Sequence, residues 1–269
     1  MPAILSRAAL LACVQEACGR QLPDSVADRI GLYPARATNR GDLSTDAALH
    51  AARFAGMPAG SLAEILAARF AGLSSVREAH AAEPGFVNLS YSDDALDLVL
   101  PAILALPEAG PDSGSPRPRR EPIMLSQMHR ADPDFMVQYA YARCCSVLRA
   151  AAEMPGLGPF DAGIPGSAGK GWYIAGPSRD LVCRLDHWMR LAEASDLPYG
   201  CGHIRLFLRE FGSCFERLWQ ASSDHVILRL LHPTDPARSR ANLALVLATA
   251  NVIRLGLGML GVEAAEELR

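Results

Sequence analysis

The sequence predicts an α+β protein in two parts: a small N-terminal α+β domain, then a linker rich in proline and glycine, then an all-α helical bundle. Three observations predict it. Short extended segments bounded by turn residues fall within the first 96 residues. Residues 107–122 are dominated by proline, glycine and serine and keep no apolar period. Beyond them, apolar residues recur at helical spacing. The expected boundaries are 1–96 for the first domain, 97–122 for the linker and 123–269 for the bundle.

The elements follow in order. Residues 1–20 read as a helix with Ile4, Ala8, Leu11 and Ala12 on one face. A loop runs from there to Arg40-Gly41-Asp42. Ser44 is placed to cap a helix striped by Ala48, Leu49 and Ala52 and closed at Gly56. Pro58 suits the entry to another helix. There Ser61-x-x-Glu64 reads as a capping box, Leu62, Ile65, Leu66 and Phe70 as the buried face, and Gly72 as the stop. Residues 75–80 and 86–91 read as extended, with Pro84-Gly85 as the turn. Asp93-Asp94 suits a loop end or helix cap better than a catalytic pair.

After the linker, Asp132-Pro133 opens a helix whose apolar face is Met136, Ala140, Cys144, Val147, Leu148 and Ala151. Gln138, Tyr139, Arg143, Ser146 and Arg149 lie largely off that face. A loop spans about 154–177. One further helix carries Leu181, Val182, Leu185, Trp188, Met189 and Ala192. The next carries Ile204, Phe207, Leu208, Phe211, Phe215 and Leu218. The last begins at Asp235-Pro236 and is apolar almost all round, as the central helix of a bundle would be.

Composition narrows the function. Of 269 residues, half are apolar and 20% are charged, with 26 basic against 29 acidic side chains. A net charge of −3 excludes a histone-like protein but leaves room for a local basic face. Lys170 is the only lysine. The seven cysteines form no C-x-x-C pair and read as reduced, small apolar residues, which with the lack of a signal-like segment points to the cytoplasm. The run 241–262 is broken by Asn242, Asn251 and Arg254, so a buried helix is expected and not a membrane span. No catalytic residue, metal site or cofactor is expected. The stretch from Gly163 to Gly171 fails as a phosphate loop at Ile164 and at Gly171. Cys201-Gly-His203 lacks two further ligands at any metal spacing.

Five segments carry a resemblance. Asp134-Phe-Met-Val-Gln-Tyr-Ala-Tyr-Ala-Arg-Cys-Cys-Ser-Val-Leu-Arg149 resembles the V-Q-Y-A-H-A-R helix that opens the anticodon-binding domain of arginyl-tRNA synthetases. Leu125-Ser-Gln127 resembles the segment before it. Gly256-Leu-Gly-Met-Leu-Gly-Val262 is similar to the end of that family's last helix. Arg40-Gly-Asp-Leu-Ser-Thr-Asp-Ala-Ala-Leu49 and Glu83-Pro-Gly-Phe-Val-Asn-Leu89 resemble two segments of its additional N-terminal domain. The resemblance implies a DALR-type bundle behind a tRNA-elbow domain, with the short linker standing where the family has its Rossmann-type catalytic domain. The H-x-G-H motif is missing, and a lysine-rich K-M-S-K-S loop is incompatible with one lysine. The implied function is non-catalytic tRNA binding, with tRNA(Arg) or a related tRNA as the partner. The alternatives are a protein-interaction module that has lost RNA binding, and a subunit that supports a separate catalytic chain. A tRNA-using or tRNA-modifying protein partner is compatible with each; neither DNA nor a membrane is.

The resemblance also names residues. Gln138, Tyr139, Tyr141, Arg143 and Arg149 would face the anticodon loop, whose unstacked bases are read by stacking and by hydrogen bonds to their edges. Asn39, Arg40, Asp42 and Ser44 would face the tRNA elbow. Tyr141 replaces the family's histidine, Leu43 an aromatic residue and Asp46 an asparagine. The sequence reads Glu267-Leu268-Arg269 where the family commonly has Arg-Met. Arg117, Arg119 and Arg120 of the linker would add phosphate affinity if RNA passes it.

Overall fold

A computed structural model describes residues 4–35, 41–106, 133–154, 176–194, 200–224, 230–232 and 234–267. Asn39, Arg40, the arginines of the linker, Leu125-Ser-Gln127 and Lys170 lie outside the described residues. Two compact units divide at Leu98 and Val99.

The first unit is a four-stranded antiparallel sheet with helices against one face. Helix α1 (Arg7–Cys18) is capped by Ser6, whose Oγ accepts from Ala9 N at 3.2 Å, and is closed by Gly19 at φ 67°. Its buried residues are Leu10 and Val14. The stripe expected at Ala8 and Ala12 is exposed instead, because those small side chains yield the core to the larger Leu10 and Val14. Helix α2 (Asp24–Ala27) and strand β1 (Leu32–Pro34) occupy what the sequence reads as loop. Strand β2 (Leu43–Thr45) contains Ser44, which therefore caps nothing. Helix α3 (Ala47–Ala55) starts at Asp46 and ends at Gly56.

Helix α4 (Ala59–Ala71) starts two residues before Ser61, so the expected capping box does not form and Pro58 stands at the cap. Leu62, Leu66 and Phe70 are buried as expected, joined by Ala63 and Ala67; Ile65 is 38% exposed. Strands β3 (Val76–Ala82) and β4 (Phe86–Tyr91) follow. The strand order is β1-β2-β4-β3. Leu43, Val87 and Leu89 point into the core beneath α3 and α4. Short helix α5 (Asp93–Leu96) carries Asp93 and Asp94 in its first turn, where acidic side chains favour the helix dipole.

Gly41 controls the entry to β2. It sits at φ 101°, and a Cβ there would lie 2.6 Å from the Leu89 carbonyl oxygen. That oxygen accepts from Asp42 N at 2.7 Å. Gly41→Ala is therefore expected to destabilise this unit by roughly 2 kcal/mol or more, through positive φ together with backbone overlap. Gly56→Ala, at φ 71° with open space around it, is expected to cost about half as much. Urea unfolding of both variants checks the ranking.

The second unit is helical. Helix α6 (Val99–Leu104) falls inside the stretch expected to be linker. Val99, Leu100, Ala102 and Ile103 are buried, and α6 packs on the helices Gly176–Ala194 and Pro236–Met259. Burial of this apolar run outweighs the extended conformation expected ahead of the proline-rich stretch. Then come α7 (Pro133–Ala152), α8 (Gly176–Ala194), α9 (Gly200–Asp224) and α10 (Pro236–Met259). Asp235 caps α10, accepting from Arg238 N at 3.0 Å with Pro236 next in line. Thirteen residues of α10 are buried, so it is the central helix of the bundle. By length and hydropathy α10 is the one described helix that would span a membrane, but 61% of its most apolar window is buried in protein. Phe207, Phe211 and Phe215 of α9 are buried, and Trp188 of α8 packs 5.5 Å from Phe207.

Candidate nucleic-acid interface

The helical unit holds a ladder of rings on the side where α7 meets α9. Phe135, Tyr139 and Arg143 are spaced by four, so they stand above one another on α7. The rings of Phe135 and Tyr139 stack at 5.8 Å with 17° between planes. The Arg143 guanidinium carbon lies 4.1 Å from the centre of Tyr139 and 4.7 Å from that of Trp219 on α9. Arg143 also donates to the Tyr139 hydroxyl at 2.7 Å and pairs with Glu216. The side chains of Arg143 and Glu216 are each about one-fifth exposed. Gln220 donates to the other oxygen of Glu216 at 3.3 Å. Below the ladder, Asp134 accepts from Arg209 at 2.8 Å and lies 3.7 Å from Arg205, which fixes α7 to α9 a second time.

Of the candidates on α7, Tyr139 and Arg143 are brought together. Trp219, Phe135 and Glu216 join them without having been singled out. The signal was present as two i, i+4 patterns, Phe135-Tyr139-Arg143 and Phe215-Trp219. Arg217 stands exposed two residues from Trp219, and among the described residues it makes no ion pair.

Gln138 does not face solvent as expected. It is 1% exposed, its amide nitrogen donating to the Glu263 carbonyl at 2.7 Å and its oxygen accepting from Ala265 N at 3.0 Å. Tyr141 is also turned in, at 7% exposure. Burial first, then Cys145 and the charge of Glu266, push its hydroxyl up to about 12. Both side chains are covered by the segment after α10, a contact between residues more than 110 apart that helical periodicity cannot register. Arg149 is exposed and pairs with Glu267 at 2.6 Å.

In the N-terminal unit, Asp42 is tied down. Its Oδ2 accepts from Tyr91 N at 2.7 Å and its carbonyl accepts from Ala35 N at 3.0 Å. Asp46 accepts from Gly31 N at 2.8 Å and holds His50 at 3.3 Å. Ser44 lies on the face opposite the core, in a cross-strand row with Tyr33, Asn88 and His80. Tyr33 is 49% exposed. Residues 1–98 carry eight arginines against eleven carboxylates, whereas 99–269 carry eighteen basic and eighteen acidic groups. Neither unit has an excess of positive charge. Among the described residues, no group of three or more His, Cys, Asp and Glu side chains is placed to hold a metal ion.

Rings and a neutralised guanidinium suit unstacked bases better than phosphates. An arginine paired with a carboxylate adds little net field, but its flat face and those of the rings accept a base of any kind.

Two family models match the chain. The arginyl-tRNA synthetase N-terminal domain family matches residues 7–91, and the DALR anticodon-binding domain family matches residues 137–268. The chain is similar to the arginine–tRNA ligase of Rhodospirillum rubrum, 39% identical over 146 residues, or 54% of this chain and 25% of that protein. It is 33% identical over 147 residues to the ligase of Agrobacterium fabrum, again 54% of this chain and 25% of that protein. It is 37% identical over 143 residues to the ligase of Ruegeria pomeroyi, covering 53% and 24%. The chain thus spans about a quarter of the length of these relatives.

Proposed function

From the premise that this is an arginyl-tRNA synthetase-like chain lacking the catalytic domain, we propose that it is a non-catalytic tRNA-binding protein whose helical unit takes the anticodon loop of tRNA(Arg). The observation that carries this reading is the ladder of Phe135, Tyr139, Arg143 and Trp219, half-open on the α7–α9 side of an anticodon-binding domain. Tyr139 and Trp219 offer ring faces to unstacked bases, and Arg143 holds both rings in place. Only 45 residues separate the two matched segments, too few for a nucleotide-binding domain that activates an amino acid. Acidic balance in residues 1–98 and the engaged carboxylate of Asp42 support a smaller share for the N-terminal unit, through the row that contains Ser44.

A salt titration of tRNA binding tests this. Stacking without an excess of charge requires a shallow dependence. With two or three phosphate contacts, the slope of log K against log salt is expected near −2. Preference for an arginine-accepting tRNA over bulk tRNA is expected, and no arginylation with ATP and arginine. A slope steeper than about −6 with no preference among tRNAs would mean unspecific polyanion binding. Arginylation by the chain alone would contradict the non-catalytic reading.

A further inference from the structure

The segment after α10 lies along α7 and is held at two places of unequal strength. Gly261, at φ 71°, reverses the chain, and Val262 N donates to the Leu257 carbonyl at 2.9 Å. Gln138 then clips residues 263–265 through two hydrogen bonds made by a buried amide. Eleven positions further along α7, Arg149 donates to Glu267 at 2.6 Å and approaches the Glu266 carbonyl at 3.5 Å. This second attachment is open to water, with the side chains of Arg149 and Glu267 50% and 52% exposed. Exposed pairs of this kind are weak and weaken further with salt. The clip is therefore firm and the end beyond it releasable. The Glu266 charge also bears on the buried Tyr141 hydroxyl beside this attachment.

We propose that the Glu267 end of this segment is an acidic strap that occupies the Arg149 guanidinium, and that an RNA phosphate displaces it. The inference rests on the tRNA-binding reading above. A phosphodiester offers a guanidinium the same charge and acceptor geometry as a carboxylate, so the two compete for one place. The strap sets a threshold: an anion that reaches Arg149 must outcompete a tethered carboxylate, and the ring ladder on the neighbouring face of α7 does not.

A double-mutant cycle on tRNA affinity at low salt is the test. Glu267→Gln is expected to tighten binding two- to fivefold, the range of one exposed ion pair. In the Arg149→Ala background the same change is expected to have no effect, because the liberated group is gone. A gain that survives in Arg149→Ala would show that the carboxylate acts only as diffuse charge and would overturn the strap. Binding by the unaltered chain with no gain in Glu267→Gln overturns the strap alone. Absence of tRNA binding by all four proteins removes the tRNA reading and the strap with it.

Discussion

Arg143→Ala is expected to lower tRNA affinity at least tenfold and stability by about 2 kcal/mol. The first effect follows from its place against two rings, 4.1 Å from Tyr139 and 4.7 Å from Trp219. Without it the rings lose their spacing and a base loses one flat face, and base stacking on such faces is worth about 1–3 kcal/mol. The second effect follows from Glu216, which would remain four-fifths buried without its cation. Removing one partner of a fully buried pair costs about 3–5 kcal/mol, and partial exposure reduces this. Arg143→Lys separates the two effects. Lysine keeps the charge opposite Glu216 but cannot lie flat over two rings, so stability is expected to recover and affinity is not. Trp219→Ala removes a ring without leaving a buried charge; the expected result is the affinity loss, with a stability cost only from lost ring packing on Phe215 and Arg143. Wild-type affinity in Arg143→Lys would make the ladder an architectural feature only.

Acid is expected to weaken the helical unit through His187. Burial first, then the charges of Arg190 and Arg184, lower its imidazole to about 3. Its Nδ1 is buried with no hydrogen-bond partner among the described residues. An unfolded chain binds this proton near 6.5. Above that pH neither state is protonated and the group has no influence. Below it the unfolded state takes up the proton first, so stability falls with falling pH from about 6.5 until the native imidazole titrates near 3. At pH 5 the expected loss from this one group is about 2 kcal/mol. Urea unfolding at pH 7.5 and pH 5, for the natural chain and for His187→Leu, isolates it from the other titrating groups. The leucine variant is expected to lose about 2 kcal/mol less on acidification. An equal loss in both would place the acid sensitivity elsewhere.

The fold was legible where one element meets its neighbours with a simple period. The faces of α8 and α9 were read almost residue by residue, because Leu181, Leu185 and Trp188, or Phe207, Phe211 and Phe215, are large and repeat at helical spacing. It was less legible where small residues share the turn. Ala8 and Ala12 fit a stripe as well as Leu10 and Val14 do, and side-chain volume decides between them only once the sheet is in place. Ser44 looks like a cap because three residues of β2 are too short to show alternation. The hydrophobic run of α6 was hidden by the proline-rich stretch that follows it.

The site divides in the same way. Tyr139 and Arg143 were visible as an i, i+4 pair, and the pairing is real. Gln138 and Tyr141 lie on the same helix and are occupied by residues 263–266, a contact that no local pattern announces. Trp219 belongs to a different helix from Tyr139, and only the packing of α7 on α9 brings them together.

The most direct test of the central claim is a nuclease and chemical footprint of the full chain on an arginine-accepting tRNA, repeated with Trp219→Ala. The account requires protection of the anticodon loop by the natural chain and its loss in the variant, while the variant remains folded. Protection confined to other parts of the tRNA, or an anticodon loop equally protected by Trp219→Ala, would contradict it.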